Sequence, residues 1–137
     1  MEKKFQRDLR SLEKIFDFID HFIAKQRIDH AVKDAVYLAV DELFTNMVRY
    51  HPKNNNEISL TLKKERNRMI IRLTDRDVEP FDLTKRKDPN IQASLKERSP
   101  GGLGIYLTKN IVDDIQYEYR NRTSIITLTK NLGRKNV

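Results

Sequence analysis

Glu42 and Asn46 stand four residues apart in the run Asp41-Glu42-Leu43-Phe44-Thr45-Asn46. At helical spacing they share one face, one turn apart. Their neighbours Val40, Leu43, Phe44, Met47 and Val48 are apolar. A carboxylate and a neutral amide beside such a seam can hold a hard cation and orient a nucleophile. An amide oxygen is a ligand that Mg²⁺ accepts while keeping several of its waters. An exposed polar stripe on an amphipathic helix would show the same two residues.

Asp75 is the second candidate. It has the parity of Met69, Ile71 and Leu73, while Arg72 and Thr74 alternate with them. If the apolar row faces a core, so does the carboxylate, and it then needs hydrogen-bond donors. The amino group of an adenine is one such donor; a backbone turn is another. The third candidate is Gly101-Gly102-Leu103-Gly104, which holds three of the chain's four glycines, with none in the first 100 residues. Ile105, Leu107, Thr108, Ile111 and Val112 follow at helical spacing. A glycine turn feeding a helix start offers free N–H groups and a favourable dipole to an anion. A tight helix entry could use the same glycines.

Other chemistry is poorly supported. There is no cysteine, so no disulfide frame and no thiol nucleophile, and a reducing compartment fits. His21, His30 and His51 lack metal-ligand spacing, and no serine has a glycine elbow or a partnered histidine. Tyr106, Tyr117 and Tyr119 have the spacing of packed side chains. The chain opens on a charged stretch rather than a secretory segment, and no apolar run has the length of a membrane span. The expected location is the cytoplasm.

These candidates need elements to position them. The 137 residues suit one domain, 1–137. A short edge strand is predicted within residues 3–10. Ser11 is a candidate N-cap for a helix carrying Leu12, Ile15, Phe16, Ile19, Phe22 and Ile23. A second helix begins near Asp29 or His30 and ends near Tyr50, ahead of Pro52. Ile58, Leu60 and Leu62 alternate with polar residues as a strand. Glu65-Arg66-Asn67-Arg68 reads as a turn into a strand with Met69, Ile71 and Leu73. Residues 76–100, with Pro80, Pro89 and Pro100, read as a long polar lid holding one short helix around 91–97. After the glycine-started helix, Ile115, Tyr117 and Tyr119 mark one strand and Ile126 and Leu128 another, with Asn121-Arg122 at the turn. The predicted fold is α+β: a two-layer α/β sandwich with a mixed, mostly antiparallel sheet and three helices on one face.

The combination is more specific than its parts. A Glu-x-x-x-Asn helix, an aspartate closing a strand, a lid and a Gly-Gly-x-Gly turn occur in that order. The chain resembles the ATP-binding domain, the Bergerat fold, shared by gyrases, histidine kinases, heat-shock chaperones and mismatch-repair ATPases. Within that superfamily it most resembles the small stand-alone anti-sigma-factor serine/threonine kinases of bacteria. The likeness runs from about Phe5 to Leu132. Asp41 to Asn46 matches the first box, which implies that Glu42 is the base or water-orienting acid and Asn46 the Mg²⁺ ligand. Leu73-Thr74-Asp75 leading to Pro80-Phe81-Asp82 matches the second, and implies that Asp75 reads the adenine. Gly101, Gly102 and Gly104 match the third, whose amides meet the phosphates.

Two departures stand out. Asp77 occupies the place of a glycine in the second box, and one extra residue precedes Phe81-Asp82. Asp can adopt glycine-like backbone conformations, so the loop shape can survive. Its carboxylate is nonetheless expected to weaken binding of an anionic ligand. The resemblance implies ATP and Mg²⁺ as cofactors and γ-phosphoryl transfer to an antagonist protein. It implies a sigma factor as second partner and leaves room for a homodimer. Arg98 and Lys109 are candidates to neutralise phosphate, or ordinary surface cations. The competing reading is a nucleotide-binding module that only sequesters a partner, which Asp77 favours and Glu42 with Asn46 oppose. The net charge of +7 is spread along the chain and densest near its ends (Lys3, Lys4, Arg7; Lys130, Arg134, Lys135) and at Lys85-Arg86-Lys87. It reads as solubility and steering of an anionic ligand. Neither nucleic acid nor membrane is expected as a partner.

Overall fold

The computed structural model describes residues 1–51, 53–80 and 108–133. The strands are β1 (Glu2–Phe5), β2 (Ile58–Glu65), β3 (Arg68–Arg76), β4 (Asp114–Arg120) and β5 (Thr123–Asn131), and the helices are α1 (Leu12–Lys25) and α2 (Lys33–Tyr50). The sheet order is β1-β2-β3-β5-β4, and all four pairings are antiparallel. The sheet of the described residues is therefore antiparallel rather than mixed. The start of the third helix lies outside the described residues; residues 108–111 are helical.

One layer of side chains joins sheet and helices. Ile58, Leu60, Leu62, Met69, Ile71, Leu73, Ile126 and Leu128 line the inner face of the sheet, all buried. Against them pack Ile15, Ile19, Phe22 and Ile23 of α1 and Val36, Ala39, Val40, Leu43, Phe44 and Met47 of α2. The period of two in the strands and of 3.6 in the helices places both rows on the shared face. Each fully buried Leu or Ile contributes roughly 1.5–3 kcal/mol by leaving water. Asp75 ends the inner row of β3, opposite Ile58 on β2 and Ser124 on β5. The aspartate is buried where the alternation predicts it.

Several boundaries differ from the sequence reading, each for a local reason. β1 stops at Phe5, because Asp8 caps a 3₁₀ turn over Leu9–Ser11 by accepting from the Arg10 N–H at 2.8 Å. Ser11 therefore makes no side-chain cap; its hydroxyl donates to the Gln6 carbonyl at 2.8 Å. Asp29 likewise accepts from Ala31 N–H at 2.9 Å and starts a 3₁₀ turn, so α2 proper begins at Lys33. The first hairpin turn is shorter than expected: Glu65 pairs with Arg68, leaving only Arg66-Asn67 between strands. The second turns at Asn121-Arg122, as expected, with φ of 50° and 58°. Two positive values in succession are what a tight hairpin with right-handed strand twist demands.

Candidate nucleotide site

α2 carries Glu42 and Asn46 toward the end of β3. Asn46 is buried, at 1% exposure, and Glu42 is half-buried. The Asn46 Nδ2 group donates to the Glu42 main-chain oxygen at 2.6 Å and to Glu42 Oε1 at 2.8 Å. The amide nitrogen is thus committed to Glu42, which holds the carboxylate in place and leaves the amide oxygen as the atom for a cation. A single neutral oxygen beside a carboxylate suits Mg²⁺, which needs few protein ligands when phosphates supply the rest. Thr45, just before Asn46, donates its Oγ1 hydroxyl one turn back to Asp41 Oδ1 at 3.1 Å.

Asp75 meets a partner that the sequence reading assigned elsewhere. In the sequence Arg7 reads as one of the solvated basic residues near the chain start. Its side chain is instead only 3% exposed and pairs with Asp75 Oδ1. Its Nη1 donates to the Met47 carbonyl at 2.8 Å and its Nε to the Asn56 carbonyl at 3.3 Å. The sequence carries no sufficient signal for this: Arg7 shares the parity of the buried Phe5, but so does the exposed Lys3. Burial pushes the Asp75 carboxyl above the usual carboxylate range, while the Arg7 guanidinium and, less strongly, His51 pull it down.

Asn46 and Asp75 share the wall of a small pocket, completed by Met47, Tyr50, His51, Ser124 and Ile126, with a volume of about 10 Å³. A cleft of about 650 Å³ adjoins it through Tyr50 and His51. The larger cleft is lined mainly by the 53–56 loop and the exposed Asp77, Glu79 and Arg122, with the buried Val78 among them. Its size fits a small-molecule ligand. The buried polar side chains Asn46, Asp75 and Ser124 lie in the smaller pocket.

Asp77 has φ of 57°, the left-handed conformation that a glycine would adopt freely. Its carboxylate is paired with Arg122 Nε at 2.9 Å, and Arg122 Nη1 reaches Glu79 at 3.3 Å. The charge that was expected to repel an anionic ligand is therefore met by a cation. The first residues of the expected lid are also anchored. Val78 N–H donates to the Arg122 carbonyl at 3.0 Å, and the Tyr119 hydroxyl donates to the Val78 carbonyl at 2.7 Å. Gly101, Gly102 and Gly104, the remaining lid, the 91–97 helix, Phe81-Asp82 and Arg98 lie outside the described residues.

The sequence model of the histidine kinase-like ATPase domain matches residues 5–130. The chain belongs to this family. A serine/threonine-protein kinase, BtrW, of Bordetella bronchiseptica is 25% identical over 116 residues, spanning 83% of this chain and 81% of that one. A serine-protein kinase, RsbW, of Listeria innocua is 26% identical over 113 residues, with coverage of 78% and 70%. RsbW of Bacillus thuringiensis is 30% identical over 104 residues, with coverage of 73% and 64%. Among solved structures, a chain with the RsbU and RsbW domains of Rv1364c from Mycobacterium tuberculosis superposes at a TM-score of 0.70 and 13% identity. That match covers 98% of this chain and 33% of the other. The histidine kinase AdeS of Acinetobacter baumannii gives a TM-score of 0.52 at 15% identity. Both likenesses concern the fold. In this histidine kinase-like ATPase, Asn46 of α2 and Asp75 at the buried end of β3 line the same small pocket. No described helix is long and apolar enough to cross a membrane.

Proposed function

We propose that this histidine kinase-like ATPase is a cytoplasmic serine/threonine protein kinase of the anti-sigma type. It transfers the ATP γ-phosphoryl group to a hydroxyl of an antagonist protein and holds a sigma factor as its other partner. The observation that carries this reading is the Asn46–Glu42 hydrogen bond, with Asn46 and the buried Asp75 lining one small pocket. The kinase names of the relatives support it.

In this reading Asp75 accepts from the adenine amino group, and Asn46 offers its amide oxygen to Mg²⁺. The metal, when bound, neutralises phosphate charge. Glu42, oriented by the Asn46 amide, accepts the proton of the attacking hydroxyl. The hydroxyl oxygen forms its bond to the γ-phosphorus as the bond to the β-phosphate bridging oxygen breaks, and ADP leaves. Such transfer depends mainly on positioning and charge neutralisation. The pairing of Asp77 with Arg122 removes the feature that favoured a purely sequestering module.

Glu42→Gln tests the assignment. The variant keeps the shape and the Asn46 contact but lacks a basic oxygen. It should bind ATP like the wild type and lose phosphoryl transfer to an antagonist protein by roughly 10²–10⁴-fold, the usual weight of a general base. Equal transfer by both proteins rules out the role.

A further inference from the structure

Arg7 is the least expected residue of the site. An arginine and an aspartate at 3% and 1% exposure sit together inside a protein of 137 residues. Burying such a pair is costly, and an apolar pair of similar size is often as stable or more so. The pair is thus weak evidence for stability and calls for another role.

Its geometry indicates one. The guanidinium divides its donors among three elements. One goes to Asp75 on β3, one to the carbonyl of Met47 in the last turn of α2, and one to Asn56 in the 53–57 loop. The Met47 carbonyl is one of the four at the helix end that lack an intrahelical partner. Met47 directly follows Asn46 in the chain. One side chain therefore ties the helix of Glu42 and Asn46 to the strand of Asp75. A planar fork of five N–H donors can do this; an ammonium point charge cannot serve three divergent acceptors equally. Only Oδ1 of Asp75 is engaged, and among the described residues no donor is bonded to Oδ2. A buried carboxylate oxygen without a donor is a site prepared for one.

We propose that Arg7 is a positioning residue. It holds Asp75 by one oxygen against the end of α2, so that the other oxygen faces the 6-amino group of a bound adenine. Arg7 touches no substrate; it acts through Asp75. The inference rests on the nucleotide reading above and goes beyond it, because base discrimination is assigned to a residue outside all three boxes.

The test compares ATP with purine riboside triphosphate, which has the same triphosphate and sugar but no 6-amino group. Both are titrated calorimetrically against the full chain with Mg²⁺, and thermal unfolding confirms that each variant is folded. The wild type should prefer ATP by roughly tenfold, the worth of one hydrogen bond. Arg7→Met should lower that preference to within about twofold while binding purine riboside triphosphate nearly as well as the wild type. Arg7→Lys should recover part of the preference. Full preference in folded Arg7→Met overturns the inference. So does an equal loss for both nucleotides, which is what a purely structural residue would give. If Arg7→Met does not fold, Arg7→Lys carries the test, because an ammonium cannot serve all three acceptors. Folded Arg7→Lys should bind purine riboside triphosphate nearly as well as the wild type with a reduced preference for ATP, and the full wild-type preference overturns the inference. Failure of the underlying reading looks different: the folded wild type would bind neither nucleotide, and this inference falls with it.

Discussion

Asp77 offers a test of backbone conformation that is independent of its charge. Its φ of 57° lies in the left-handed region, where a side chain clashes with the following carbonyl. Asp tolerates this better than most residues because its short polar side chain can bond locally. Here it bonds to Arg122. Asp77→Ala loses that ion pair and keeps a Cβ in the unfavourable region. Asp77→Gly loses the same pair and relieves the clash. The pair cancels when the two variants are compared. What remains is about 1–2 kcal/mol of left-handed strain in alanine. Against it stands about 0.4–1 kcal/mol from the larger freedom of glycine in the unfolded chain. Asp77→Gly should therefore be more stable than Asp77→Ala by about 1 kcal/mol, or roughly 3–5 °C in Tm for a domain of this size. Urea unfolding of both variants measures it. Equal stabilities would mean that residue 77 does not hold a left-handed backbone in solution. Affinity follows a related argument. A lone carboxylate near phosphates would lead one to expect up to roughly tenfold tighter ATP binding on its removal. Because Arg122 already meets the charge, the gain for Asp77→Gly should stay within about threefold at physiological salt. A tenfold gain would show that the Arg122 pair does not offset it.

Asn46→Ala should weaken ATP binding chiefly when Mg²⁺ is present, whereas Asp75→Ala should weaken it with or without metal; calorimetry in Mg²⁺ and in EDTA separates them. Equal losses for Asn46→Ala in both buffers would remove Asn46 as the metal ligand. The turn before α1 has its own pH signature. Arg10, through its side chain and its backbone N–H, holds the Asp8 carboxyl down to about 2 from 3.8. A carboxylate depressed in the folded state stabilises above its unfolded pKa and ceases to as pH falls through the folded one. The stability difference between wild type and Asp8→Asn should therefore be constant above about pH 5 and shrink between about pH 4 and 2. Urea midpoints across that range decide the matter, and a difference independent of pH would refute the assignment.

Much of this protein is legible in its sequence because the decisive patterns are local. The alternation Ile58, Leu60, Leu62 and Met69, Ile71, Leu73 names the buried face of β2 and β3, and extending it by one step puts Asp75 on that face. The four-residue spacing of Glu42 and Asn46 places them on one side of α2, where the amide and the carboxylate do meet. Periodicity carries such facts because a strand repeats every two residues and a helix every 3.6. Caps and short turns were harder, since Asp8 and Asp29 compete with the helix for the backbone by forming 3₁₀ turns one residue group earlier than the apolar pattern starts. Which charges pair is a different kind of fact. Arg7 and Asp75 are separated by 68 positions, and Asp77 and Arg122 by 45. Nothing local distinguishes Arg7 from its solvated neighbours Lys3 and Lys4, because its parity with Phe5 is shared by the exposed Lys3. Only the antiparallel packing of β1 on β2 and β2 on β3 brings it to the end of β3, and only the fold places the β4–β5 turn beside Asp77. Composition and period determine which residues are buried; the chain's path through space determines which buried charges find each other.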